Sequence, residues 1–209
     1  MAVVTTTPDW SAPVSEERIQ RAAEALRANN IEAVVVDTGE DAKREVFARI
    51  PDGSEVHNGA SATLQASGVV AALETASNIR WLRKELMAMD RATQGREMRK
   101  LIAAPDIWLG SVHALTEDGH LFAASNTGSQ LGPYAYAAGK VIYVIGAQKI
   151  VADDAEAFRR VREYSLKLES ERMQKAIGRD SFVSKLLITY REAAPGRATA
   201  IIVREAVGF

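Results

Sequence analysis

The stretch Glu55-Val56-His57-Asn58-Gly59-Ala60-Ser61-Ala62-Thr63-Leu64 joins a short strand-like run to a loop of small residues and then to an apolar helix. Ser61 or Thr63 is placed to cap that helix, because its hydroxyl can accept a hydrogen bond from a free backbone N–H. The unpaired amides at a helix start attract anions such as phosphate or carboxylate. The stretch therefore favours an α/β fold with a small anion at the loop, but it names no reaction.

Bulk composition is that of a globular protein. A chain of 209 residues is long enough for one α/β domain with a full core. Its net charge of −1 gives no sign of a nucleic-acid partner or of an anionic membrane surface. Because no apolar run reaches roughly 18 residues and the start lacks a signal-peptide pattern, we expect a cytoplasmic protein without membrane contact. We expect residues 1–10 to form a flexible tail and residues 11–209 to form a single domain.

The chain has no cysteine and only three histidines. The absence of cysteine excludes disulfides, thiolate zinc sites and iron–sulfur ligation within this chain. His57, His113 and His120 lack the close spacing of a metal-ligand pair. We therefore expect neither an iron–sulfur cluster nor a structural metal here, while the identity of any cofactor stays unknown. Redox chemistry would then need a partner or a bound organic cofactor.

Segments with strand and helix patterns alternate along most of the chain. This alternation predicts a three-layer α/β/α fold with a mainly parallel sheet. The turn pair Asp118-Gly119 adds an antiparallel hairpin over Leu115–Phe122. Apolar periodicity predicts helices over Ser61–Ala76 and Gly128–Ala138. The predicted central strands are Ile31–Val36, Ser54–His57, Ile107–Val112 and Val141–Ile145.

A second small polar loop, Ser125–Gln130, follows the hairpin and precedes a predicted helix. Ligands of such folds bind beyond the carboxyl ends of the strands, so we expect this loop and Asn58–Ser61 to face one crevice. Each loop also has a simpler interpretation, since turns and helix caps use the same residue types. The candidate ligand-binding residues in and beside the loops are Asn58, Gly59, Ser61, Thr63, Ser125, Asn126, Thr127, Gly128, Ser129 and Gln130.

Three further side chains are candidates for chemistry at the same rim. Lys149 follows the strand ending at Ile145 and could pair with an anion, although most lysines are solvated at the surface. His113 ends another predicted strand and could transfer protons, whereas a lone histidine is more often structural. Glu117 could act as a general base if it faces the crevice, while its neighbour Asp118 is explained by turn chemistry.

Several stretches resemble, in order and spacing, the lactate-utilization (LUD) domain family, in its group of short stand-alone members similar to lactate utilization protein C. The resemblance extends over nearly the whole chain after the tail. The matching stretches are Ile50–Gly53, Asn58–Leu64, Asp106 with Thr116–Gly119, Ser125–Gln130, Val144–Val151, Pro195–Arg197 and Ile201–Phe209.

The resemblance implies a fold like that of ribose-5-phosphate isomerase, the sugar-phosphate deaminases and the CoA transferases. It also implies a role in oxidation of L-lactate, a 2-hydroxy acid, beside iron–sulfur partner subunits, with no agreed catalytic residue. The chain departs from the family where many short members are cysteine-rich, because Gly178–Lys185 has no cysteine. Gln130 stands where a basic residue is usual, and Gln148 stands where an asparagine is usual.

Three functions are compatible with these observations. The leading hypothesis is an accessory subunit of lactate oxidation that binds a small anionic metabolite or cofactor. The second is a stand-alone enzyme acting on a sugar phosphate or an acyl-CoA, and the third is a ligand sensor without turnover. Self-association into a homo-oligomer stays open.

Overall fold

Six parallel strands form the central sheet. The computed structural model describes residues 8–209. In spatial order the strands are β1 (Glu32–Val36), β10 (Ala198–Val203), β7 (Lys140–Gly146), β4 (Ile107–Gly110), β2 (Glu55–Asn58) and β3 (Arg80–Trp81). The four predicted central strands are therefore confirmed. The majority of their ends differ from the predicted bounds by one or two residues.

The middle of this sheet consists of buried, mostly apolar residues, many of them β-branched. Ile201 of β10 is in register with Val34 of β1 and with Val144 of β7. Such runs show little alternation between apolar and polar residues because helices cover both sides of a parallel sheet. The carboxyl ends of the strands consequently meet at one edge, where the loops after β2, β4 and β7 come together.

Helices pack on both faces of the sheet and complete three layers. One face packs against α1, through Ile19 and Leu26. The other packs against α2, α3 and α4, through Val46, Leu64 and Leu73. The helices before the second half of the chain are α1 (Glu16–Ala28), α2 (Gly39–Phe47), α3 (Ala62–Ala66), α4 (Val69–Thr75), α5 (Leu82–Ala88) and α6 (Gly95–Ala103).

A second sheet of four strands contains the predicted hairpin. Its spatial order is β8 (Ile150–Val151), β5 (Ala114–Thr116), β6 (Leu121–Ser125) and β9 (Lys185–Thr189). β5 and β6 pair antiparallel, as predicted, and the unpredicted β9 extends the hairpin on its other side. Leu115 and Leu121 of the hairpin belong to the same apolar cluster as Ile19 of α1, so the two sheets share a core.

Two predicted helices differ from the structure. The helix predicted over Ser61–Ala76 is split into α3 and α4, because Gly68 adopts a left-handed conformation with φ of 74°. The helix predicted over Gly128–Ala138 is shorter, since helical structure starts only at Leu131 and becomes a π-helix over Pro133–Ala137.

A long helical run crosses the outside of the second sheet. It consists of α7 (Asp154–Arg159), a π-helical segment (Arg160–Ser165) and α8 (Leu166–Ile177). Trp10 packs into the apolar cluster beneath this run, and its Nε1–H donates to Glu156 at 3.0 Å. This differs from the flexible tail expected over residues 1–10, most of which lies outside the described residues.

Gly119 shows how closely the hairpin turn approaches α1. Its φ is 80°, and a Cβ there would lie 2.8 Å from backbone atoms of Ala25 and Leu26. We predict that Gly119→Ala lowers the free energy of unfolding by about 3 kcal/mol, since backbone strain and steric overlap add. Urea denaturation followed by circular dichroism measures the change.

Gly53→Ala is the matched control. Gly53 also has a φ of 80°, but a Cβ there meets nothing within 4 Å. The control should therefore lose only about 1 kcal/mol, the cost of the left-handed backbone alone. Equal losses in the two variants would show that the close approach to α1 is unimportant.

Candidate functional site

A cavity of about 300 Å³ lies at the carboxyl edge of the central sheet. Both predicted loops border it, the first through Gly59–Thr63 and the second through Ser125–Gln130. The two segments that sequence analysis assigned to one crevice are therefore brought together. Its polar lining includes Ser61, Thr63, Ser111, His113, Ser125, Asn126, Thr127, Ser129, Gln130 and Lys149.

Lys149 is the central side chain of this cavity. It ends a short 3-10 turn, Ala147–Lys149, that follows β7 directly, and it is only 2% exposed. Its Nζ lies 2.8 Å from Thr63 Oγ1, 3.1 Å from Ser111 Oγ and 3.1 Å from the carbonyl oxygen of Val112. The ammonium thus has an acceptor for each of its three hydrogens.

No acidic side chain of the described residues pairs with the Lys149 amine. It makes no ion pair with any residue of the described range 8–209. Burial, and then the Arg160 guanidinium, place the pKa of Lys149 well below its usual value. The Thr63 and Ser111 hydroxyls each donate to a backbone carbonyl, so they accept from Lys149 and favour its charged form. An anion in the cavity would supply the missing charge.

Arg160 places a second buried cation behind the cavity wall. It is fully buried, it donates to the carbonyl oxygen of His113, and its Nη1 also lies 3.0 Å from Ser165 Oγ. Within residues 8–209, its Nε has no hydrogen-bond partner. Burial lowers the pKa of this guanidinium to about 10, which leaves it charged at neutral pH. Arg160, together with Lys149 when its amine is protonated, therefore creates a positive potential around the cavity.

His113 lines the cavity as a neutral imidazole. The backbone N–H of Ala124 donates to its Nδ1 at 3.1 Å, so the ring hydrogen lies on Nε2. Burial, followed by the charges of Lys149 and Arg160, lowers the pKa of His113 to about 3. At neutral pH this side chain is a hydrogen-bond donor through Nε2 and a weak base.

The second loop holds its own shape through side-chain hydrogen bonds. Ser125 Oγ accepts from the Gly128 N–H at 2.8 Å and donates to Gln130 Oε1 at 3.1 Å. Gln130 Nε2 in turn donates to the Ala124 carbonyl at 3.1 Å. Part of the polar character of this loop is thus turn chemistry, and Gly128 itself does not line the cavity.

The first loop divides between structural and cavity-lining residues. Asn58 is buried beside the cavity wall, where it accepts from Trp81 Nε1 at 2.7 Å and donates to the Gly59 carbonyl. It does not line the cavity. Ser61 lines the cavity and also caps α3, since its Oγ accepts from the Leu64 N–H at 3.3 Å. With five residues, α3 is too short for a substantial dipole at its start.

The hypothesis that Glu117 faces the crevice is wrong. Its carboxylate pairs with Arg18 and Arg21 of α1, on the far side of the hairpin turn, and it is absent from the cavity lining. Glu117 therefore joins the hairpin to α1 and cannot serve as a general base in this cavity.

Sequence analysis did not find several cavity residues. Ser111 comes one residue after β4, so its position at the strand end was a usable signal. Arg160, which lies behind the cavity wall, gave no signal, because it is surrounded in sequence by other charged residues of the helical run. The wall contributed by that run and by the segment after α8 was also missed; it includes Val161, Leu166, Glu169, Arg172, Met173, Phe182 and Val183.

Comparisons with known proteins identify the family. The model of the LUD domain matches residues 19–203. The chain belongs to the LUD domain family. This membership relates the chain to lactate utilization, in agreement with the resemblance noted in the sequence. A search of curated proteins finds no match.

One similar solved structure supports the fold. It is the crystal structure of a DUF162 family protein from Deinococcus radiodurans, with 13% sequence identity and a TM-score of 0.54. The match covers 91% of this chain and 99% of that chain. At this identity the likeness concerns the fold alone.

Across residues 8–209, no helix has both the length and the apolar character to cross a bilayer. In the same part of the chain, no group of three or more histidine, aspartate or glutamate side chains is arranged to hold a metal ion.

We predict that proton uptake by His113 on unfolding lowers the free energy of unfolding in acid. Its pKa is about 3 when folded and near 6.5 when unfolded, so unfolding takes up a proton between these values. The free energy of unfolding should drop by about 4 kcal/mol on this account as the pH falls from 6.5 to 3. Urea denaturation of the protein and of His113→Gln at several pH values measures it.

The variant should show a shallower loss over the same range, because glutamine does not titrate. The remaining slope includes His57, whose pKa burial lowers to about 4. Parallel stability curves for the two proteins would contradict a neutral His113 in the folded state.

Proposed function

We propose that this protein binds the carboxylate of a small 2-hydroxy or 2-keto acid in the cavity at Lys149 and serves lactate oxidation as an accessory subunit. The observation on which this rests is a buried ammonium that lines a cavity and lacks a counter-charge within residues 8–209. Keeping such a charge unpaired costs stability, which a bound anion would recover.

The neighbours of Lys149 suit a carboxylic acid with an adjacent oxygen. The Ser111 and Thr63 hydroxyls lie beside the ammonium, and the His113 imidazole on the same cavity has a hydrogen on Nε2. A cation and a neutral donor together can bind a carboxylate and the oxygen on the next carbon. This arrangement supports 2-hydroxy and 2-keto acids, of which lactate and pyruvate are small members, as the class of ligand.

The family and the amino-acid content support the accessory role. LUD membership relates the chain to lactate utilization. Without cysteine the chain cannot ligate an iron–sulfur cluster by thiolates. We therefore propose that electrons from the 2-hydroxy acid pass to iron–sulfur partner subunits in the cytoplasm, and that this chain supplies the anion site.

A stand-alone enzyme acting on a sugar phosphate or an acyl-CoA is the second candidate. The observation in its favour is the position of His113, a group able to transfer protons, on the same cavity as Lys149. The low pKa of His113 makes it a weak base, which favours binding over turnover. Measurable turnover by the chain alone would reverse this preference, whereas binding without turnover or partners would indicate a sensor.

We predict that Lys149→Met weakens binding of L-lactate and pyruvate at least tenfold, because the variant lacks the charge that pairs with the carboxylate. Methionine has a similar length and no charge, so the free energy of unfolding should rise by about 1 kcal/mol. Isothermal titration calorimetry with the full chain gives the affinities, and urea denaturation gives the stability.

Two controls accompany this measurement. Lactamide, the neutral analogue of lactate, should not bind, and the exposed-site variant Lys175→Met should bind both acids like the parent protein. Affinity should also decrease as the pH rises through the pKa of Lys149, since only the ammonium pairs with an anion. Equal affinity of the parent protein and of Lys149→Met would overturn the proposed site.

We predict that the purified chain alone does not reduce an artificial electron acceptor when L-lactate is supplied. Acceptor reduction should start only when iron–sulfur subunits of a lactate-oxidising system are added. A spectrophotometric assay with and without those subunits tests this. Lactate-dependent reduction by the isolated chain would contradict the accessory role and support the enzyme.

A further inference from the structure

The cavity has two chemically different walls. The wall made by the loops after the strands is polar, and Lys149 lies on it. The opposite wall belongs to a segment that we call the arm, residues 160–184, which comprises the π-helical segment, α8 and the chain that returns from α8 toward β9. The apolar side chains of the arm that line the cavity are Val161, Leu166, Met173, Phe182 and Val183.

The outer part of the arm is incompletely packed. None of residues 166–184 is buried, although α8 is twelve residues long. Phe182 lines the cavity and is 62% exposed. Apolar side chains that border a cavity and stay accessible gain free energy when an apolar ligand covers them.

The cavity is larger than a three-carbon acid requires. A cavity of about 150 Å³ holds benzene, which like lactate has six non-hydrogen atoms. The volume of about 300 Å³ therefore accommodates roughly twice as many atoms. Lactate at Lys149 would leave the half beside the arm unfilled.

The charges that line the cavity favour an uncharged portion of the ligand in the remaining half beside the arm. Arg172 is the cation of the arm that lines the cavity, and Glu169 neutralises it through two hydrogen bonds of 2.8 and 2.7 Å. Lys149, at the inner end, has no such partner in the described chain. The distribution suits a ligand with one anionic end and an apolar remainder.

We propose that the physiological ligand is an amphiphilic carboxylate, a 2-hydroxy or 2-keto acid whose aliphatic chain extends from Lys149 along the arm. The inference rests on the anion site of the proposed function and deepens it by naming the ligand class. The carboxylate of the ligand pairs with Lys149, and its aliphatic chain covers Phe182 and Met173. About a dozen non-hydrogen atoms fill the cavity, as in a 2-hydroxy acid of eight or nine carbons.

The test compares 2-hydroxy acids of increasing length by isothermal titration calorimetry, namely lactate, 2-hydroxybutyrate, 2-hydroxyhexanoate and 2-hydroxyoctanoate. Affinity should rise about threefold for each added methylene, slightly less than full burial would give because the arm is partly open. A dicarboxylate as long as the octanoate should show no gain over lactate, since its second charge would lie against the apolar arm. Constant or falling affinity along the series would overturn the proposal.

Substitutions in the arm show where the aliphatic chain of the ligand binds. Phe182→Ser and Met173→Ser should each lower the octanoate-to-lactate affinity ratio at least threefold. Ile177→Ser is the matched control, because Ile177 lies on α8, is 59% exposed and does not line the cavity. If the octanoate-to-lactate affinity ratio is unchanged in the first two variants, the aliphatic chain binds elsewhere and the inference is refuted.

The outcomes also separate this inference from the proposed function. If lactate binds through Lys149 but longer acids bind no better, the anion site stands and the amphiphilic ligand is wrong. If no acid of the series binds, or if all bind Lys149→Met as tightly as the parent protein, the anion site itself is wrong.

Discussion

The Lys149 ammonium joins three segments that are distant in sequence. From the turn after β7 it bonds to Thr63, which begins the helical layer after β2, and to Ser111 and the Val112 carbonyl, which follow β4. These contacts fix the carboxyl edge of the sheet around a charge that water would otherwise solvate. Burial of a charge without a counter-ion is unfavourable for stability, and the bound anion that we propose would offset this cost.

The fold was predictable from local patterns because both faces of its central sheet are covered. β-branched runs such as those of β7 and β10 leave few alternatives to buried parallel strands. Prediction failed where tertiary contacts decide the structure. Gly68 could have been tolerated inside a helix, and only its left-handed backbone separates α3 from α4. β9 has intermediate burial and forms because β6 offers it a partner, which no local pattern indicates.

The site was predictable to the level of its loops and less so to the level of its side chains. Strand ends and small polar residues correctly brought the loops containing Ser61 and Ser125 to one cavity. Residue type and position did not show that Asn58 is structural or that Glu117 pairs with α1. The burial of Lys149 was not readable either, because it depends on acceptors contributed by two other segments.

Each of the two π-helical segments contributes a residue to the lining of the cavity. Tyr134 from Pro133–Ala137 and Ser165 from Arg160–Ser165 both line it. A π-turn is less favourable than an α-turn and is found mostly at functional positions. Here Arg197 donates to the carbonyls of Pro133 and Tyr134, at 2.8 and 3.0 Å, and so satisfies groups beside the distortion. Irregular helix, a buried ammonium without an ion-pair partner in residues 8–209 and an open arm thus all occur around one cavity. In a protein whose core is otherwise regular, this concentration supports the whole cavity, more than any single loop, as the candidate site.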